Sequence, residues 1–173
     1  MAPLAQTIST ARMGIRAKLR LYWRLIKSLQ TGLLLLTGLA GYASGVVDWH
    51  WPVVGGLTGS LFLAISGSTI LNMWYDRDID AVMGRTCERP LPAGRISPRE
   101  ALALGLVLGF SGVAWALVMD PLYGLIVFAG LFFDVVVYTA WLKRRTCWSV
   151  IWGGIAGGMP VLAARTLACL LYT

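Results

Sequence analysis

The chain has 173 residues, 57% of them hydrophobic and 13% charged, with 15 Lys and Arg against eight Asp and Glu and a formal charge of +7. Its apolar residues fall in long uninterrupted runs, which excludes an ordinary soluble domain and places it among integral membrane proteins. The bases cluster between those runs, as membrane topology dictates, and give no case for nucleic-acid binding.

The first 47 residues contain no acid and carry Arg12, Arg16, Lys18, Arg20, Arg24 and Lys27. Ile15, Leu19, Tyr22, Trp23 and Ile26 recur at helical spacing opposite most of these bases, so residues 1–28 are expected to form an amphipathic leader in the membrane interface. A basic leader puts the N-terminus in the cytoplasm, against the cell inner (plasma) membrane. The same acid-free composition also fits mitochondrial transit, which makes the mitochondrial inner membrane the alternative.

Five apolar runs follow, over Leu29 to Val47, Pro52 to Leu71, Ala101 to Met119, Pro121 to Leu142 and Val150 to Leu171. Each has about the 20 residues a membrane crossing requires, so the fold class is an all-α, multi-spanning helical bundle. Pro52 and Pro121 suit first helical positions, the latter behind Asp120 as an N-cap, and Ser97-Pro98-Arg99-Glu100 has the pattern of a capping box. With the N-terminus inside, Arg77 to Arg99 and Lys143-Arg144-Arg145 are also inside, whereas Asp48 to Trp51 and Asp120 form outer turns. His50, the single histidine, belongs to an outer turn, and Cys87, Cys147 and Cys169 form no Cys-x-x-Cys pair that would indicate a disulfide or zinc site. Asp134 in the fourth run and Arg165 in the fifth are the polar exceptions, expected to line a cavity or snorkel; they are also what a transporter reading would rest on.

Chemistry is sought in the longest inside segment, residues 72–99. Asn72, Asp76 and Asp80 stand at i, i+4 and i+8, an arc of about 80° on one helix face, with Asp78 on the opposite side. Carboxylates so spaced repel unless a cation sits between them, and hard oxygen donors suit Mg²⁺, which is commonly shared with a diphosphate. Arg85, Arg89 and Arg95 follow in the loop, and Lys143, Arg144 and Arg145 lie further on, with donors that match phosphate oxygens. A plain solvated helix end, with Asp76, Arg77 and Asp80 in local ion pairs, is the competing account.

The segment runs Asn72-Met-Trp-Tyr-Asp76-Arg-Asp-Ile-Asp80-Ala-Val-Met-Gly-Arg85-Thr86-Cys-Glu-Arg89-Pro90-Leu-Pro92-Ala-Gly94-Arg-Ile. It resembles the first aspartate-rich motif, N-x-x-x-D-x-x-x-D, of the UbiA superfamily of intramembrane prenyltransferases. Its extension is similar to that of the haem O synthase (protohaem IX farnesyltransferase) branch. Tyr138-Thr139-Ala-Trp141-Leu142-Lys143-Arg144 and Gly153-Gly154-Ile-Ala-Gly157-Gly158-Met-Pro160 resemble the same branch.

The resemblance implies Mg²⁺-dependent transfer of a farnesyl group from farnesyl diphosphate to the vinyl group of haem b, giving haem O for the haem A and cytochrome oxidase cofactor pathway. It implies catalytic roles for Asp76, Asp80, Arg89 and Lys143, and substrate binding by Asn72, Arg85, Arg95, Tyr138 and Arg144. Asn72, Asp76 and Asp80 are the implied metal ligands. Trp74, Tyr75, Tyr138 and Trp141 are candidates to face an allylic cation. The family has about nine spans and a second aspartate-rich motif, so residues 1–173 are expected to be a truncated, N-terminal part of its membrane domain. Three alternatives accompany this reading: an aromatic quinone precursor as acceptor, a non-catalytic membrane fragment or assembly subunit, and a homo-oligomer that pairs two half-sites.

Overall fold

The computed structural model describes residues 15–170; the part of the expected leader that includes Arg12 lies outside the described residues. The elements are α1 (Ile15–Leu25), α2 (Ser28–Ala43), α3 (Trp51–Tyr75), α4 (Arg77–Val82), α5 (Pro98–Met119), α6 (Pro121–Phe132) with a π-helical continuation (Phe133–Leu142), and α7 (Ser149–Leu170). The described residues contain no strand.

Among the described residues four helices are long and apolar enough to cross a membrane, over Trp51–Tyr75, Pro98–Met119, Pro121–Leu142 and Ser149–Leu170. The run expected from Leu29 to Val47 is α2, whose 16 residues extend about 24 Å. The protein is thus an all-α, multi-pass membrane bundle.

In lipid, helices gain little from hiding apolar side chains from each other, and close backbone approach has to hold them together. The seam between α3 and α5 shows how: Ser60, Ala64 and Gly67 face Gly105, Gly109 and Gly112. A methyl group on Gly67 would collide with the backbone of Gly109, and one on Gly112 with the backbone of Ala64. On the other side of the bundle a methyl on Gly41 of α2 would come within 2.6 Å of the Val161 carbonyl of α7. Ser60 and the buried Tyr123 hydroxyl, 2.8 Å apart, tie α6 to α3.

The helix ends follow the sequence only in part. Asp120 caps α6 as expected, accepting from Leu122 N at 2.8 Å and Tyr123 N at 2.9 Å. The capping box at Ser97 does not form: Ser97 makes no side-chain cap bond, and Glu100 instead accepts from the Tyr22 hydroxyl of α1. Arg165 is exposed near the C-terminal end of α7 and is not among the residues that line the cavity described below. Its guanidinium donates to the Ser44 carbonyl and lies 3.2 Å from Ser44 Oγ, at the α2 C-terminus where carbonyls lack helical partners.

Helix α1 buries Leu21 and Leu25 in a cluster with Ile70, Met73, Leu91, Ile96 and Ala101, with Tyr22 and Ile26 at its edge. Leu19 and Trp23, expected on the same face, are 60% and 56% exposed. Helix α1 thus packs one side on the end of the bundle and leaves Leu19 and Trp23, on its expected apolar face, uncovered by protein. This cluster brings α1 and the 84–97 loop to the α4 end of the bundle.

Candidate functional site

Helix α3 ends at Tyr75, and Asp76 bridges it to the six-residue α4 with nearly helical backbone register: Asp76 N bonds to Asn72 O at 3.0 Å and Asp80 N to Asp76 O at 2.8 Å. Both carboxylates are buried, Asp76 being 8% and Asp80 5% exposed. Asp78, on the opposite side as expected, is exposed and held by Arg144 through bonds of 2.9 and 2.6 Å. Those bonds keep its carboxyl below the usual carboxylate range.

Each buried carboxylate has a cation. Lys143, following the π-helical segment, donates to Asp76 Oδ2, and Arg89 Nη1 lies 2.7 Å from Asp80 Oδ2. The loop that delivers Arg89 is fixed by the same aspartate, since Thr86 Oγ1 donates to the Asp80 carbonyl at 3.0 Å. Pro90, Leu91 and Ile96 are buried, and Gly94, at φ 66°, makes the turn between them. The residues of the sequence motif thus have separable tasks: Thr86 and Arg89 hold Asp80, and the apolar residues anchor the loop.

The third member of the expected stripe is placed differently. Asn72 Nδ2 donates to Asp134 Oδ2 at 2.9 Å, and Asn72 Oδ1 accepts from Thr139 at 2.5 Å. Ser68 donates to the same Asp134 oxygen. Asp134 is therefore a partner of Asn72, and it also lines a cavity of about 440 Å³ between α2, α3, α6 and α7. Leu33, Leu61, Ile65, Val127 and Met159 form apolar parts of its wall.

Of the other expected residues, Arg85 and Arg95 are exposed on the loop, and Tyr138 is half-buried with its ring 5.3 Å from Lys143 Nζ. Arg144, besides holding Asp78, donates to the Tyr75 carbonyl at 2.8 Å and stands 4.6 Å from the Tyr75 ring. Trp74 carries Arg77 at 5.0 Å from its ring, and Trp141 is exposed.

Lys27, absent from the expected site, belongs to it. It links α1 to α2 in a left-handed conformation, φ 47° and ψ 61°, and is half-buried. Burial pushes its pKa below the ordinary 10.5, and the like charges of Arg89 and Lys143 push it further, against the opposing pull of Asp80 and Asp76. Two cations are thus paired with the two buried carboxylates, and Lys27 is electrostatically coupled to all four groups.

This donor set fits a hard cation bridging to an anion. Asp76 Oδ1 is buried and makes no hydrogen bond, so one carboxylate oxygen is spare at the centre of the site. Among the described residues no group of three or more His, Cys, Asp and Glu gathers as a self-sufficient metal site. Two carboxylates and an amide are what Mg²⁺ accepts when phosphate oxygens complete its shell.

Comparison with known proteins agrees with this architecture. Residues 32–169 match the model of the UbiA prenyltransferase family. The protoheme IX farnesyltransferase of Archaeoglobus fulgidus is 47% identical over 147 residues, 84% of this chain and 51% of that protein. That of Ruegeria pomeroyi is 44% identical over 166 residues, 92% of this chain and 52% of that protein. The chain therefore spans about half the length of these curated relatives. Among solved structures, a UbiA homologue of Archaeoglobus fulgidus bound to GPP and Mg²⁺ superimposes with a TM-score of 0.74 at 22% identity, covering 86% of this chain and 54% of the other. A digeranylgeranylglyceryl phosphate synthase structure gives 0.80 at 20% identity, with coverages of 87% and 53%. The chain belongs to the UbiA prenyltransferase family.

Proposed function

We propose that this chain forms one wall of a Mg²⁺-dependent prenyltransferase that moves a farnesyl group from farnesyl diphosphate to the vinyl group of haem b. The observation that carries the reading is the buried Asp76 and Asp80 pair, with Asp76 Oδ1 spare and Lys143, Arg89 and Lys27 around it. The acceptor is supported by the 44–47% identity to proteins named protoheme IX farnesyltransferase. The donor class is supported by the GPP and Mg²⁺ bound to the structurally similar UbiA homologue.

On this reading Asp76, Asp80 and Asn72 Oδ1 would hold Mg²⁺, which when bound would supply positive charge against the diphosphate leaving group. Lys143 and Arg89 exchange a carboxylate partner for a phosphate oxygen, and Lys27 gains one. Arg85, Arg95 and Arg144 form the outer rim. Tyr138 presents its ring to the allylic cation, whose charge a π-face stabilises, and the apolar cavity keeps water from the prenyl chain. The bond electrons leave with pyrophosphate, the vinyl π-electrons close the new bond to C1, and the cation left on the vinyl carbon next to the haem ring is quenched by water, which gives up a proton and leaves a hydroxyl there.

Residues 1–28 are assigned as the interfacial leader, with Leu19 and Trp23 toward lipid, and residues 72–99 as the catalytic loop. Because the basic segments gather at one end of the bundle, that end is placed in the cytoplasm at the cell inner membrane. Impermeant maleimide should then reach Cys147 only after the membrane is opened, and labelling of Cys147 itself in intact cells would overturn the orientation.

The activity is tested by Mg²⁺-dependent transfer of radiolabelled farnesyl to haem b in membranes holding the full-length gene product. Asp76→Asn and Asp80→Asn are each expected to lose about 100-fold or more, as when a preorganised charge-stabilising group is removed. Undiminished turnover would remove the metal role, and prenylation of an aromatic quinone precursor in place of haem b would change the acceptor.

A further inference from the structure

We propose that Asp134 is a positioning residue that sets the orientation of the Asn72 amide and thereby directs its carbonyl oxygen at the metal site. The inference rests on the proposed metal reading of Asn72 and adds a residue that the aspartate-rich stripe does not contain.

The geometry comes from the π-helical segment. Bonds from i to i−5 bring residues five apart onto one face, which an α-helical turn does not do. Asp134 and Thr139 are five apart, and Thr139 Oγ1 lies 2.8 Å from the Asp134 carbonyl. Both side chains consequently reach Asn72 together, Asp134 taking the Nδ2 donor at 2.9 Å and Thr139 approaching Oδ1 at 2.5 Å. Ser68, one helical turn before Asn72 on α3, donates to the same Asp134 oxygen and prevents the carboxyl group from swinging into the cavity.

An amide presents two faces of nearly identical shape, and its hydrogen-bond partners alone decide which end points where. With Nδ2 engaged by Asp134, the oxygen is held on the side of Thr139 and keeps a second lone pair for a cation. Loss of Asp134 leaves the amide free to turn and present N–H groups to the cation, which repels it. Residues that orient a metal ligand typically cost 10–100-fold in metal affinity when replaced.

The test uses the full-length gene product in nanodiscs, with Mn²⁺ in place of Mg²⁺ and inorganic pyrophosphate as the probe. Bound Mn²⁺ is read from loss of the free-ion electron paramagnetic resonance signal. Asp134→Leu is expected to weaken Mn²⁺–pyrophosphate binding about tenfold. Thr139→Val, a milder change that keeps the apolar surface, is expected to weaken it less, and Thr139→Ser to restore it. Asp76→Asn separates the two claims. If Asp76→Asn binds like wild type, the metal reading itself falls. If Asp76→Asn loses binding while folded Asp134→Leu and Thr139→Val both bind like wild type, the positioning role falls and the metal reading stands.

Discussion

Helix α3 is built in two contrasting ways along its length. Its middle meets α5 through Ser60, Ala64 and Gly67, where a methyl group on Gly67 or on the facing Gly112 would strike backbone. Its end meets the segment 133–143 through Ser68, Asn72 and Asp76, each a polar side chain that reaches a specific partner. The first region tolerates no addition and the second no deletion. A rigid seam on the same helix allows its three polar groups to be held against Asp134, Thr139 and Lys143, all from one segment of the chain.

The largest effect is expected from adding bulk to the seam. Gly112→Leu places a side chain against the Ala64 backbone, which cannot yield as a flexible side chain would, and should cost about 3 kcal/mol. The check is thermal unfolding in detergent, with Gly84→Ala as control because open space surrounds Gly84. Equal loss at both positions would remove the contrast between the seam and the loop.

A smaller effect is expected from deleting one partner at the polar end. Arg89→Met leaves the buried Asp80 carboxylate without its cation, a loss of about 2 kcal/mol once the one-third exposure of Arg89 is discounted from the cost of breaking a buried pair. The double variant Asp80→Asn with Arg89→Met should recover part of that stability, because no charge is then stranded. Strict additivity in the mutant cycle would show that Arg89 and Asp80 do not act as a pair.

What could be seen in the sequence divides along the same line. Four of the five expected spans were legible because apolar run length is set by bilayer thickness, whereas the first run folds as the shorter α2; the Asp76 and Asp80 register was legible because helical spacing is local. Asp120 was legible as a cap for the same reason. The partners of the stripe were not: Asp134, Thr139 and Lys143 reach α3 from more than 60 residues away. The π-helical turn that aims two of them leaves no trace in a run that is apolar on all sides. Glu100 was misassigned to a local cap because a tertiary donor, Tyr22, outcompeted the neighbouring backbone. Lys27 was hidden among six leader bases, although it is the base nearest the first apolar run, and that position was the signal available.

Lys27 yields the smallest and most diagnostic prediction, because its effect should change sign with ligand. In the ligand-free protein burial and two like charges lower its pKa below 10.5, so its charged form is held at a cost. Between the lowered value and 10.5 the unfolded chain binds more protons than the folded one, so stability rises with pH across that window. Lys27→Met should therefore melt higher than wild type at neutral pH, with the difference shrinking as pH climbs toward 10.5. With Mg²⁺ and pyrophosphate present the order should reverse, because the anion supplies the partner the ammonium lacks. The variant should then bind about fivefold more weakly, the equivalent of ~1 kcal/mol for a partly exposed ion pair. Melting curves of both proteins with and without the anion decide it: a variant less stable under both conditions would make Lys27 a fold residue, and one more stable under both would remove it from the anion site.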